Sequence, residues 1–333
     1  MRTRDVMLAV VVAAVWGLNF VVIAVGLDTM PPLLFVALRF GACAIPAVFF
    51  VGRPTVPLRW IVAVAMSLAV VKFSLLFAGM AAGMPAGVSA LVLQSQAVFS
   101  AALAFVLLRE RPTARAVLGL VLAAGGLVLV GFGSSVGPLS GFVLVVCAGA
   151  AWGVANVAMR KAAATDLLNF MVWVSVVATP VLIVLSLAVE GPSVVWTEVR
   201  SLSLVAVGAV AYVAYLSTLF AFGVWAALLR RYGAATVAPF AMLAPVFALV
   251  SAAILLGERL TGTELAGGGA VLVGVLLGAG RRRAAGTVAV LGGEEVSACV
   301  DGSRGDHAAA TSPRSGGPTG PARIRATAGR PAA

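Results

Sequence analysis

Apolar character recurs along this chain in segments of roughly 18–25 residues, the length of helix that crosses about 30 Å of hydrocarbon. Short breaks carrying Pro, Gly or Arg separate them. Inside lipid a backbone must satisfy its own N–H and C=O groups, so each run reads as a helix. The spacing predicts ten, near 6–26, 33–51, 60–80, 86–108, 115–133, 140–159, 168–188, 203–229, 235–256 and 264–280. Composition agrees: 62% of the 333 residues are hydrophobic and 11% are charged, too little polar surface for a soluble core. The expected class is an all-α integral membrane protein with ten transmembrane helices.

The net charge of +11 does not mark a nucleic-acid partner. Its basic residues form no face; they cluster at the ends of apolar runs, as in Arg2/Arg4, Arg109/Arg111/Arg115 and Arg281–Arg283. With a cytoplasmic N-terminus, the inner segments also hold Arg53, Arg59, Arg160, Lys161, Arg230 and Arg231. The outer loops then hold only Arg200 and Arg259. Both termini are expected in the cytoplasm and the chain in a cell membrane, crossed many times. The first run has the basic start of a signal peptide, but it is longer than a signal core and carries Trp16-Gly17-Leu18-Asn19, so it reads as a retained helix.

The two halves resemble each other. Ala14-Val15-Trp16-Gly17-Leu18-Asn19 parallels Ala151-Trp152-Gly153-Val154-Ala155-Asn156. Without gaps, Pro85–Gly131 aligns on Gly233–Ala279, matching Val98-Phe99 with Val246-Phe247, Glu110-Arg111 with Glu258-Arg259, and Gly119 with Gly267. The expected organisation is a first repeat over 1–135, a second over 136–280, and a tail over 281–333. An odd number of helices per repeat turns the second upside down, the arrangement of carriers that rock two halves about a midplane site. The tail is rich in Gly, Ala, Pro, Ser and Arg and is expected to be disordered and cytoplasmic.

A charge within a membrane span is costly, which makes each one a functional candidate. Arg39 lies about 9 Å into the second helix at ~1.5 Å per residue, and Lys72 near the middle of the third. Arg39 could instead snorkel to the interface, and Lys72 could bond carbonyls freed by a helix break. Trp16, Asn19, Gln94, Gln96, Trp152 and Asn156 complete the mid-membrane polar set. For the amides, a helix–helix hydrogen bond is an equal alternative to a place on the pathway. Gln94 and Gln96 stand about 200° apart around a helix, so one faces a cavity while the other meets a neighbouring helix. Pro239 and Pro245 in the ninth helix suit a hinge or a packing kink.

No Asp or Glu lies near the middle of a predicted span, so a carboxylate proton relay is hard to build. The buried charge is positive and suits a substrate carboxylate or phosphate. Nucleotide-binding loops, metal-ligand clusters and nucleophile motifs are missing, so neither an enzyme nor a cofactor is expected. The expected partners are a small metabolite and the bilayer; the oligomeric state stays open, a homodimer included.

Trp16-Gly17-Leu18-Asn19-Phe20, Leu38-Arg39-Phe40, Gly83-Met84-Pro85-Ala86-Gly87, Leu91-Val92-Leu93-Gln94-Ser95-Gln96-Ala97 and Arg109-Glu110-Arg111 resemble the EamA branch of the drug/metabolite transporter superfamily. So do Ala238-Pro239, Leu243-Ala244-Pro245-Val246-Phe247 and Gly257-Glu258-Arg259-Leu260. The resemblance spans residues 5–280 and leaves out the tail. It implies two inverted five-helix repeats around a central cavity and export of amino-acid-type metabolites such as O-acetylserine and cysteine. It carries over Arg39, Gln94 and Gln96 as pathway residues, with Trp16 and Asn19 beside them. Asn156 departs from the pattern by one extra residue after its glycine. A permease for a drug, sugar or nucleotide-sugar, or a lipid-carrier flippase, is the alternative.

Overall fold

The computed structural model describes residues 1–54, 56–109, 113–133 and 137–279. The expected tail, Arg281–Arg283 and the Glu110-Arg111 pair lie outside them. All regular structure among the described residues is helical. We number the helices α1 Thr3–Leu27, α2 Pro32–Val48, α3 Leu58–Ala81, α4 Ala86–Leu108, α5 Ala114–Gly131, α6 Leu139–Ala162 and α7 Leu167–Val189. There follow α8 Pro192–Arg200, α9 Leu204–Tyr232, α10 Thr236–Leu255 and α11 Gly262–Ala279. Eight are long and apolar enough to cross a membrane. The apolar helices α2 and α11 are shorter, and α8 is a short surface helix that no apolar run announces.

Four of these helices are irregular, each for a chemical reason or at a repeated position. In α10 the helix breaks at Met242, between Ala241 and Leu243. Pro245 has no N–H to offer the carbonyl of Ala241, so the ladder stops there. The break in α4 falls at Leu93-Gln94, and Gln94 aligns with Met242 in the repeat, although no proline lies nearby. Helix α3 widens into a π-helix over Ala65–Lys72, and α9 does so over Tyr212–Phe220. Wide turns of this kind push side chains off the regular stripe and gather at functional sites.

The repeated Trp-Gly pairs explain how the halves interlock. A Cβ on Gly17 of α1 would stand 2.7 Å from the Ala244 carbonyl and the Ala248 N–H of α10. One on Gly153 of α6 would stand 2.9 Å from Phe99 Cβ and 3.0 Å from the Ser100 N–H of α4. Ala248 and Ser100 are equivalent in the aligned repeat, so each half inserts its glycine helix against the same part of the other. Only glycine allows backbones to approach so closely.

Helices α5 and α11 form a second glycine seam. Gly119 faces Gly274 and Gly278, while Gly126 faces Gly267, so the two helices run antiparallel. A Cβ on Gly126 would lie 2.6 Å from the Gly267 carbonyl oxygen.

The ends of the bundle are tied by polar groups. At the N-terminal end the Tyr232 hydroxyl donates to Asp5 Oδ2 at 2.5 Å, and Arg231 Nη1 lies 3.3 Å from the same oxygen. At the opposite end Glu190 accepts from the backbone N–H groups of Leu33 and Leu34 at 2.7 and 2.9 Å. Glu258 accepts from Ala86 and Gly87 at 2.6 and 3.0 Å. Each carboxylate sits where the first turn of a helix leaves its N–H groups unpaired and its dipole positive. Glu264, which the sequence places at a helix terminus, is fully buried beside Gly133 and closes the first turn of α11 by accepting from the Thr261 N–H at 2.8 Å.

Candidate functional site

A cavity of about 130 Å³ lies in the middle of the bundle. Its polar wall is built by α1 (Trp16, Asn19), α2 (Arg39), the π-helical turns of α3 and α9 (Lys72, Ser217, Thr218), the break in α4 (Gln94) and α6 (Trp152). The remaining surface is apolar, with Leu68, Leu93, Met159, Met171, Met242 and Phe222 prominent. Pro245 also lines it, beside the break at Met242; Pro239 does not and is exposed.

Arg39 and Lys72 are both buried, each 4% exposed. Arg39 reaches Thr218 with Nη2 at 3.3 Å, and its Nε and Nη1 have no partner. The Thr218 hydroxyl donates to the Val213 carbonyl five residues back, a bond that the π-helical turn makes available. The guanidinium carbon lies 3.8 Å from the centre of the Phe73 ring, and Lys72 Nζ lies 3.3 Å from the same centre. Lys72 Nζ also lies 4.5 Å from the Trp152 ring. Two cations therefore share one aromatic ring, an attraction worth about 2 kcal/mol per desolvated contact and far short of a counter-ion. No Asp or Glu is among the described residues that line the cavity.

Two further polar atoms of the wall stand unpaired: Trp152 Nε1, a donor, and Asn19 Oδ1, an acceptor. Trp16 is committed, its indole N–H donating to the Ser217 carbonyl at 3.1 Å. An unpartnered buried donor is costly and calls for a partner such as a water, an ion or a ligand.

Trp16, Asn19, Arg39, Lys72, Gln94 and Trp152 thus converge on one space, while Gln96 and Asn156 do not. Asn156 Nδ2 donates to Gln96 Oε1 at 2.8 Å and to Ser100 Oγ at 2.9 Å, joining α6 to α4 behind the cavity wall. Ser217 and Thr218 were not singled out from the sequence. Small hydroxyl residues in an apolar run look like packing residues until a π-helical turn aims them inward.

A many-helix membrane bundle with a central cavity belongs to the class of solute carriers and channels. The family model for EamA-like transporters matches residues 3–132 and 139–279, and the chain is a member of that family. A probable amino-acid metabolite efflux pump of Salmonella typhimurium is 37% identical over 284 residues, covering 83% of this chain and 95% of the relative. Its counterpart in Escherichia coli is 35% identical over the same length and shares. An uncharacterized transporter of Bacillus subtilis is 26% identical over 287 residues, covering 82% of this chain and 96% of the relative. A crystal structure aligns with TM-score 0.57 and 19% identity over 86% of this chain and 100% of its own, a likeness of fold alone.

Proposed function

We propose that this transporter exports small amino-acid-type metabolites, of the O-acetylserine and cysteine kind, from the cytoplasm by alternating access. The observation that carries the reading is the buried pair Arg39 and Lys72, facing a cavity with no carboxylate among its described lining residues. A substrate carboxylate supplies the missing negative charge and accepts from the Arg39 guanidinium, whose Nε and Nη1 have no partner in the protein. The apolar methionine and leucine surface receives the side chain. The names of the enterobacterial relatives point to the same substrate class.

In this reading all ten apolar helices cross the inner membrane of a bacterial cell, with both termini in the cytoplasm. Residues 1–135 and 136–280 form two inverted halves that rock about the cavity. The antiparallel packing of the equivalent helices α5 and α11 supports the inversion. The breaks at Gln94 and Met242 and the π-helical turns give α3, α4, α9 and α10 places to bend.

The test is efflux of labelled O-acetylserine and cysteine from cells expressing the chain. Wild type accelerates efflux over the empty vector, and Lys72→Met or Arg39→Gln removes the gain. Normal transport by both variants overturns carboxylate pairing; no efflux of either compound overturns the substrate class.

A further inference from the structure

The cavity holds an imbalance that a bound amino acid does not correct. Its wall presents the unpaired donors Arg39 Nε, Arg39 Nη1 and Trp152 Nε1, together with the Lys72 ammonium. Against these stand the unpaired acceptor Asn19 Oδ1 and the neutral side chains of Gln94 and Ser217, none of which carries a negative charge. The aromatic ring nearest the cations, Phe73, is already in contact with both of them.

A zwitterion brings a carboxylate for the donors and also an ammonium with three more donors, for which the wall has no carboxylate among its described residues. It leaves the net charge of the site unchanged, and it places a third cation in a space of low dielectric. A carboxylate whose α position is uncharged lowers the net charge by one and adds no cation. Its α-hydroxyl or N-acyl N–H needs one acceptor, and Asn19 Oδ1 is one.

We infer that the cavity selects net-anionic substrates, carboxylates with an α-hydroxyl or acylated amine, over the zwitterionic amino acids of the same side chain. This rests on the carboxylate-binding part of the reading above and departs from it at the amine, ranking zwitterions such as O-acetylserine and cysteine below their α-hydroxy or N-acyl counterparts. Arg39 and Lys72 set the preference through charge, and Asn19 accepts from the neutral α-substituent. The transporter then discharges acids left when an amine has been removed or capped, so the reactions that supply it are amine acylation and conversion of α-amino to α-hydroxy acids.

The test is equilibrium binding to the purified full chain in lipid nanodiscs, read by quenching of tryptophan fluorescence, since Trp16 and Trp152 line the cavity. The probes are matched pairs: lactate with alanine, glycerate with serine, and the α-hydroxy analogue of methionine with methionine. Each pair differs only by hydroxyl for ammonium. The hydroxy acid is expected to bind at least about tenfold tighter in the best-bound pair, with the ratio falling to within about twofold in Arg39→Gln or Lys72→Met. Equal or tighter binding of the amino acid, lost in both variants, overturns the anion preference and leaves the carboxylate site standing. Binding by neither member of any pair overturns both. A thermal melt of each variant separates loss of the site from loss of the fold.

Discussion

Glu258 reaches across the molecule to cap Ala86: its Oε1 accepts the Ala86 N–H at 2.6 Å while Oε2 takes the next N–H, of Gly87. A side chain from the second half thereby completes the first turn of a helix in the first. Glu258→Ala leaves these groups unpaired and is expected to cost about 1–2 kcal/mol, the usual value of a lost N-cap. Glu258→Gln keeps an acceptor oxygen and is expected to lose less than half of that. Denaturant or thermal unfolding in detergent measures both.

The glycine seam gives a matched pair of substitutions. Gly126→Ala places a methyl group 2.6 Å from the Gly267 carbonyl, whereas at Gly125 the same methyl meets nothing within 4 Å. The first is expected to destabilise by about 1–3 kcal/mol through overpacking. Gly125→Ala should be neutral or slightly stabilising, because alanine is the better helix former. Melting temperatures of the two proteins, purified side by side, decide this.

The Asn156–Gln96 bond at 2.8 Å joins two helices, and neither residue lines the cavity. A double-mutant cycle with Asn156→Ala and Gln96→Ala should return a coupling of about 0.6 kcal/mol, with about 1.7 as a ceiling for such pairs in membranes. Apparent KM should stay within about twofold in Asn156→Ala, where the handicap is one of stability. Asn19→Ala, in the cavity wall, should instead raise KM with little change in melting temperature.

Trp152→Phe keeps an aromatic face near Lys72 and deletes the unpaired Nε1 donor. If that donor binds substrate, KM rises roughly 3- to 10-fold, the range of one hydrogen bond. An unchanged KM would remove Trp152 Nε1 from the binding wall. Trp152→Leu deletes the ring as well and should impair transport further.

Much of this was legible in the sequence because membrane physics leaves few options. Apolar run length gives the helices, and the rarity of buried charge picks out Arg39 and Lys72. Angular arithmetic separates Gln94, on the cavity, from Gln96, behind it. The same arithmetic accounts for Asn19 and Asn156, which look alike in their motifs. The extra residue after Gly153 turns Asn156 about 100° further round its helix, and there it meets Gln96 instead of the cavity.

Other features have no one-dimensional signal. Glu190 and Glu258 look like loop carboxylates, and their partners lie 157 and 172 residues away in the chain. Ser217 and Thr218 reach the cavity by way of a π-helical turn that no residue type announces. The break at Gln94 has no proline to betray it; only its alignment with Met242 marks its place.

The seam between α5 and α11 bears on how such a molecule moves. Where backbones touch, no layer of side chains is available to absorb sliding, and one surface cannot slip past the other without collision. Neither helix contributes a residue to the cavity. If the two halves rock as proposed, the seam is suited to be the fulcrum, and the lever arm would deliver its displacement to the walls around Arg39 and Lys72.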